Sequence, residues 1–210
     1  MTPGEWREIY GLLEDTNAVL TVSVTAAWAE SENRLVDFPQ KFPEEARALK
    51  EGVEIGLIEI ANHGLTHCVL TRGAFGPKWF SSNRRYHREF WDWIPPEVQE
   101  DHIRRSQEIL QSFFETHVVT FVPAGNVFTD TTLQIAQRYG LRYVSCSTQR
   151  RIHGGMAIVG DEQVLPFHDR DIVLNGPSWL REVLDKNVDK KFCFVKDLGE
   201  SMLRSVARTG

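Results

Sequence analysis

Short apolar, β-branched runs alternate with amphipathic helical patterns along nearly the whole chain, and this alternation limits the fold more than any other feature. The strand-like runs fall at residues 18–24, 53–61, 118–122, 141–145, 163–167 and 192–195. The helical patterns fall at 3–15, 43–50, 95–114, 130–139, 178–186 and 198–207, with Gly52 read as a C-terminal cap of the second. A long irregular stretch separates residue 61 from Ile94. Strands joined by connections that hold a helix pair in parallel with the helices outside, so the expected class is α/β. The first helix opens on a capping box, with Thr2 as N-cap, Pro3 at the first helical position and Glu5 three residues after the cap.

One strand end carries unusual chemistry. The run Glu59-Ile60-Ala61-Asn62-His63-Gly64-Leu65-Thr66-His67 delivers two histidines, four residues apart, onto a turn. Imidazole nitrogens are good ligands for zinc and similar divalent ions, and this spacing lets both rings face one point if the second begins a helical turn. Alone, the pair fits equally well two half-exposed histidines making ordinary hydrogen bonds. Cys68 comes directly after and is either a soft ligand or a small buried thiol.

Further segments extend the pattern. Phe121-Val122-Pro123-Ala124-Gly125-Asn126 forms a turn after one strand, Gly140-Leu141-Arg142-Tyr143 starts another, and Val164-Leu165-Pro166-Phe167-His168-Asp169 ends a later one. With His63-Gly64-Leu65-Thr66-His67, these resemble in order and spacing the motifs of polysaccharide deacetylases, the NodB-homology or carbohydrate esterase family 4 group. The resemblance covers nearly all of residues 1–210, read as a single domain. It implies a distorted (β/α)7-type barrel. It also implies metal-dependent hydrolysis of N-acetyl groups on a carbohydrate, with zinc the expected ion and cobalt or nickel as alternatives.

The resemblance assigns roles by position. His63 and His67 would be metal ligands, Gly125 the backbone oxyanion donor, and His168 the general acid that protonates the departing amine, oriented by Asp169 or Asp171. Pro123 and Asn126 would line the substrate turn. For His168 the plain alternative is a solvated strand end beside two aspartates. One family feature is missing: members open with a strand ending in an Asp-Asp pair that supplies the base and a third ligand, and no Asp-Asp pair occurs here. Val122 also stands where the family carries an arginine. The expectation is therefore a barrel without its first strand, through a truncated start or evolutionary loss. Such a chain is an impaired deacetylase or an inactive deacetylase-like module that binds carbohydrate or serves a structural role. The unpaired edges left at 18–24 and 192–195 invite a homodimer through the open seam.

The stretch from Phe75 to Trp93 interleaves Trp79, Phe80, Tyr86, Phe90 and Trp91 with Arg84, Arg85 and Arg88. Trp79 and Trp91 could stack on sugar rings; packing of the loop onto the barrel explains the same residues, because aromatics are large apolar anchors. A net charge of −5 gives no case for a nucleic-acid partner. No apolar run approaches the roughly 20 residues of a membrane span, and no signal peptide opens the chain. Three isolated cysteines, Cys68, Cys146 and Cys193, read as core thiols of a reducing compartment. The chain as written is thus expected in the cytoplasm, or outside it if a leader is missing.

Overall fold

The computed structural model describes residues 1–31, 34–68, 88–148 and 151–207. Its centre is a six-stranded sheet in the order β1-β4-β5-β6-β8-β7. These strands are β1 (Leu20–Val24), β4 (Ile58–Asn62), β5 (Thr120–Phe121), β6 (Tyr143–Ser145), β7 (Ile152–His153) and β8 (Met156–Val159). Strands β1, β4, β5, β6 and β8 run parallel, and β7 turns back antiparallel on β8. A separate hairpin, β2 (Ala27–Ser31) with β3 (Arg34–Asp37), comes after β1. The expected parallel α/β architecture is what forms.

Helix α1 (Pro3–Asp15) precedes the sheet, α2 (Phe38–Lys41), α3 (Pro43–Glu54), α4 (Pro96–Phe114) and α5 (Asp130–Arg138) occupy its crossovers, and α6 (Asp169–Asn175), α7 (Pro177–Asp185) and α8 (Val195–Ala207) follow its last strand. The capping box of α1 is present, with the Glu5 carboxylate accepting the Thr2 N–H at 2.6 Å. The inward faces of α1, α4 and α5 bury Ile9, Leu13, Ile103, Leu110 and Leu133 against Ile58, Ile60, Phe121, Val144 and Ile158 of the sheet. Each such side chain contributes about 1.5–3 kcal/mol on burial. No helix among the described residues is long and apolar enough to cross a membrane.

Four sequence expectations need correction. Helix α3 runs on to Glu54 and β4 begins only at Ile58, so 53–57 is not strand. Gly52 is not the cap; it lies inside α3, where an added Cβ would come within 2.6 Å of the Tyr10 hydroxyl. That hydroxyl donates to the Ala48 carbonyl at 2.6 Å and locks α1 onto α3. Residues 163–167 do not enter the sheet, because Met156–Val159 takes the position beside β6, with Tyr143, Val144 and Ser145 opposite Ala157, Ile158 and Val159. The Gly154-Gly155 turn before it, both residues at positive φ, is the hairpin signal that the apolar count passed over.

Residues 192–195 are not strand either, and the cause lies in β4. Every residue of β4 is buried, including Glu59. Its carboxylate accepts hydrogen bonds from Thr21 Oγ1 at 2.7 Å, from Thr120 Oγ1, and from the Lys196 N–H at 3.3 Å. Thr21 Oγ1 in turn accepts the Val195 N–H at 3.1 Å. The first free N–H groups of α8 thus find acceptors on the sheet, and a buried carboxylate facing a helix N-terminus is favourably placed in the helix field. A helix starts where the apolar run suggested a strand.

Candidate metal centre

The carboxyl ends of β4 and β5 lie side by side, with Asn62 opposite Phe121 and the Val122 N–H donating to the Asn62 carbonyl at 2.9 Å. The His63–His67 turn after β4 and the Pro123–Asn126 turn after β5 therefore come together on one edge of the sheet, the edge on which parallel α/β proteins build sites.

Gly64 turns the chain at φ 87° and His67 sits at φ 58°, which brings the two imidazole centroids to 5.0 Å. His63 Nδ1 lies 2.6 Å from the Val122 carbonyl oxygen. A carbonyl only accepts, so Nδ1 carries the proton and Nε2 keeps its lone pair. Burial lowers the His63 pKa from 6.5 to about 4, and the charges of His67 and, most weakly, His168 push the same way against Glu89. The ring is therefore neutral at physiological pH, the form in which histidine ligates metal. These two residues fit as ligands of a divalent ion. No group of three or more His, Cys, Asp or Glu that could hold a metal is present among the described residues. The Cys68 thiol, next in the chain, is pushed up to about 12 by burial and by the Glu89 charge, so it remains protonated.

The turn is held from below by residues the sequence did not single out. Asn62 donates to Ser106 Oγ at 2.8 Å and to Gln107 Oε1 at 3.0 Å, and its own Oδ1 accepts the Gly64 N–H at 2.8 Å. The Glu89 carboxylate accepts the N–H groups of Leu65 and Thr66 at 2.9 and 2.7 Å, the Thr66 hydroxyl at 3.0 Å, and His102 Nδ1–H at 2.9 Å. A signal for these existed: Gln99, His102, Ser106 and Gln107 interrupt the apolar face of α4 at helical spacing, and all four are buried. Polar residues on a core-facing stripe need partners: Ser106 and Gln107 meet Asn62, His102 meets Glu89, and Gln99 meets the Trp91 and Ile94 carbonyls and Thr132 Oγ1.

On the β5 side, Gly125 and Asn126 both have positive φ, 63° and 58°, inside a short 3-10 turn. Pro123 is buried beneath it, while Gly125 and Asn126 are exposed. Asn126 Oδ1 accepts the Ser147 N–H at 3.1 Å, tying the turn to the end of β6. Arg88 lies against Gly125, where an added Cβ would meet its side chain, and its guanidinium sits 5.8 Å from the Trp91 ring centre. Trp91 is half-buried, and Phe90 is wholly buried, edge-on to Phe121 at 5.3 Å. Trp79, Arg84 and Arg85 lie outside the described residues.

His168 stands apart from this order. It comes after an extended segment outside the sheet and caps α6, its N–H donating to Asp171 Oδ2 at 2.8 Å. Its ring is 74% exposed, with Nδ1 3.9 Å from Asp171 Oδ2. Asp169 accepts the Arg170 N–H at 2.8 Å, so Asp171 is the carboxylate beside the imidazole.

Comparison with known proteins bears on the family and the fold. The family profile described as polysaccharide deacetylase matches residues 1–144. No curated protein matches the chain in sequence. A polysaccharide deacetylase structure from Mycobacterium smegmatis, named as putative, superposes with a TM-score of 0.58 at 13% identity, over 96% of this chain and 77% of that one. A de-N-acetylase from Aggregatibacter actinomycetemcomitans gives 0.51 at 19% identity, over 81% and 70%. The chain spans only 39% of a carbohydrate esterase family 4 pseudoenzyme from Bacillus anthracis, at TM-score 0.46 and 14% identity, with 69% of this chain covered. At these identities the structural likeness concerns the fold, the mixed α/β sheet of the (β/α)7 barrel class.

Proposed function

Because the chain belongs to the polysaccharide deacetylase family, we propose that it engages an N-acetylated carbohydrate at the carboxyl edge of its sheet, with His63 and His67 as two ligands of a divalent ion. The observation that carries this reading is the His63–His67 pair itself: two rings 5.0 Å apart, one fixed by Val122 so that its lone pair is on Nε2, beside the exposed Gly125 turn. A bound ion would polarise the acetyl carbonyl and a water molecule; zinc suits imidazole ligands, and cobalt and nickel are alternatives.

The remaining roles belong to the chain. The backbone of Gly125, held in left-handed conformation above buried Pro123, is the donor for the oxygen of the tetrahedral intermediate. His168, with Asp171 beside it, gives a proton to the leaving amine. Asn126 and Trp91 flank the sugar. Residues 1–210 form one such domain, and the edge at β1 is the face available to a second copy.

A second reading is a deacetylase-like module that holds carbohydrate without cleaving it. It is favoured by the lack of a third ligand side chain beside the two histidines among the described residues. Metal content of the purified chain, together with acetate release from an N-acetylated oligosaccharide, separates the two. About one ion per chain with acetate release supports the enzyme; sugar binding without release supports the module; neither would overturn both.

A further inference from the structure

We propose that Glu89, fixed by His102, is the positioning residue of the metal turn: it holds the 63–67 loop in the shape that aims both imidazoles at one ion. This rests on reading His63 and His67 as ligands. Glu89 is 0% exposed and His102 7%. Removing a carboxylate from water is costly and is offset only when its oxygens are saturated with donors. Here three of the four donors come from two adjacent residues, Leu65 and Thr66, which sit between the two histidines, and the fourth is His102 of α4.

The fit is mutual. Gly64 takes positive φ, and a Cβ there would collide with the Glu89 carboxylate, so turn and carboxylate occupy each other's only space. Asn62 closes the turn from the other side through the Gly64 N–H. The loop is thus anchored to α4 at both ends, by Ser106 and Gln107 through Asn62, and by His102 through Glu89. A carboxylate buried behind the turn that carries both imidazoles also favours a cation bound by them. A loop that only had to close would need neither the charge nor the buried imidazole partner.

The test is titration of the whole chain with Co2+, read by its visible absorption, for wild type, Glu89→Gln, His102→Gln and a core control, Leu110→Ala. Glu89→Gln is expected to weaken Co2+ binding about 10–100-fold and to change the absorption band, as loss of an outer support of a metal site does. Leu110→Ala should lower the melting temperature at least as far and leave Co2+ affinity unchanged. Should Glu89→Gln fail to fold, His102→Gln leaves the carboxylate bonded to the turn and is expected to cost about threefold to tenfold on the same grounds. Equal affinity in wild type and the Glu89 or His102 variant, or an equal loss in Leu110→Ala, overturns the positioning role alone. No Co2+ uptake by wild type overturns the metal reading on which it stands.

Discussion

The His63–His67 turn and the His168 segment, the two histidine-bearing segments given roles in the proposed function, are built in opposite ways. The turn is tied down through Val122, Asn62 and Glu89 and, behind them, the buried polar stripe of α4. His168 sits on the open N-terminus of a seven-residue helix, its ring mostly in solvent and only loosely beside Asp171. A metal ligand gains from rigidity, since affinity grows when no ordering is needed on binding. A proton donor that meets substrate can wait in solvent and be desolvated when a sugar covers it. If the proposed roles hold, burial marks the ligand half of such a site and says little about the acid half.

The contrast can be broken most directly at the turn. Replacing both His63 and His67 by alanine is expected to reduce bound metal from about one ion per chain to none measurable by elemental analysis, because two of the ligands vanish together. Retained stoichiometry would place the ion elsewhere. Next in size, His168→Ala is expected to lower acetate release by about 10²–10⁴-fold. Its unfolding free energy from urea titration should change by no more than about 0.5 kcal/mol, since the ring is 74% exposed. A large stability loss there would erase the difference between the halves.

The third test uses pH on the metal-free chain. Unfolded, His63 takes up a proton near 6.5; folded, burial holds that off until about 4. The unfolded state therefore binds more protons within this window, and stability rises with pH. His63's contribution is fully present above pH 6.5 and is lost as pH falls toward 4, by about 3 kcal/mol. Urea unfolding at pH 7 and pH 4 should show wild type losing about that much more than His63→Gln. The smallest effect is a control away from both halves. Thr129→Ala removes the cap of α5, where Thr129 Oγ1 accepts the Thr132 N–H at 3.1 Å, and should cost about 1 kcal/mol with metal uptake untouched.

Legibility in the sequence divides along the same line. Helices α1, α4, α5 and α7 announce themselves through caps, prolines and apolar spacing, and the strands from β4 to β6 through β-branched runs, because those signals are local. The shift of β4 to Ile58 follows from the extra turn of α3 and the Gly56 turn at φ 78° after it, a local signal that the apolar run hid. The helical start at Val195 depends on contacts across more than a hundred residues, which no window of sequence contains. In the site, His63 and His67 stood out as residue types with an evident use. Glu89 did not, since it lies amid aromatic residues in a stretch without periodicity, and only the fold shows what its carboxylate meets.

The buried Glu59 carries a last consequence, for the order in which the chain can finish folding. Its carboxylate sits between β1, β4 and β5, yet part of its hydrogen bonding comes from residue 196, near the other end of the sequence. Until that residue is synthesised the carboxylate lacks one of its three hydrogen-bond donors, so the last helix completes what the sheet alone leaves unfinished. Contacts spanning 137 and 174 residues make this a slow, late closure, and α8 acts as the latch that ends it.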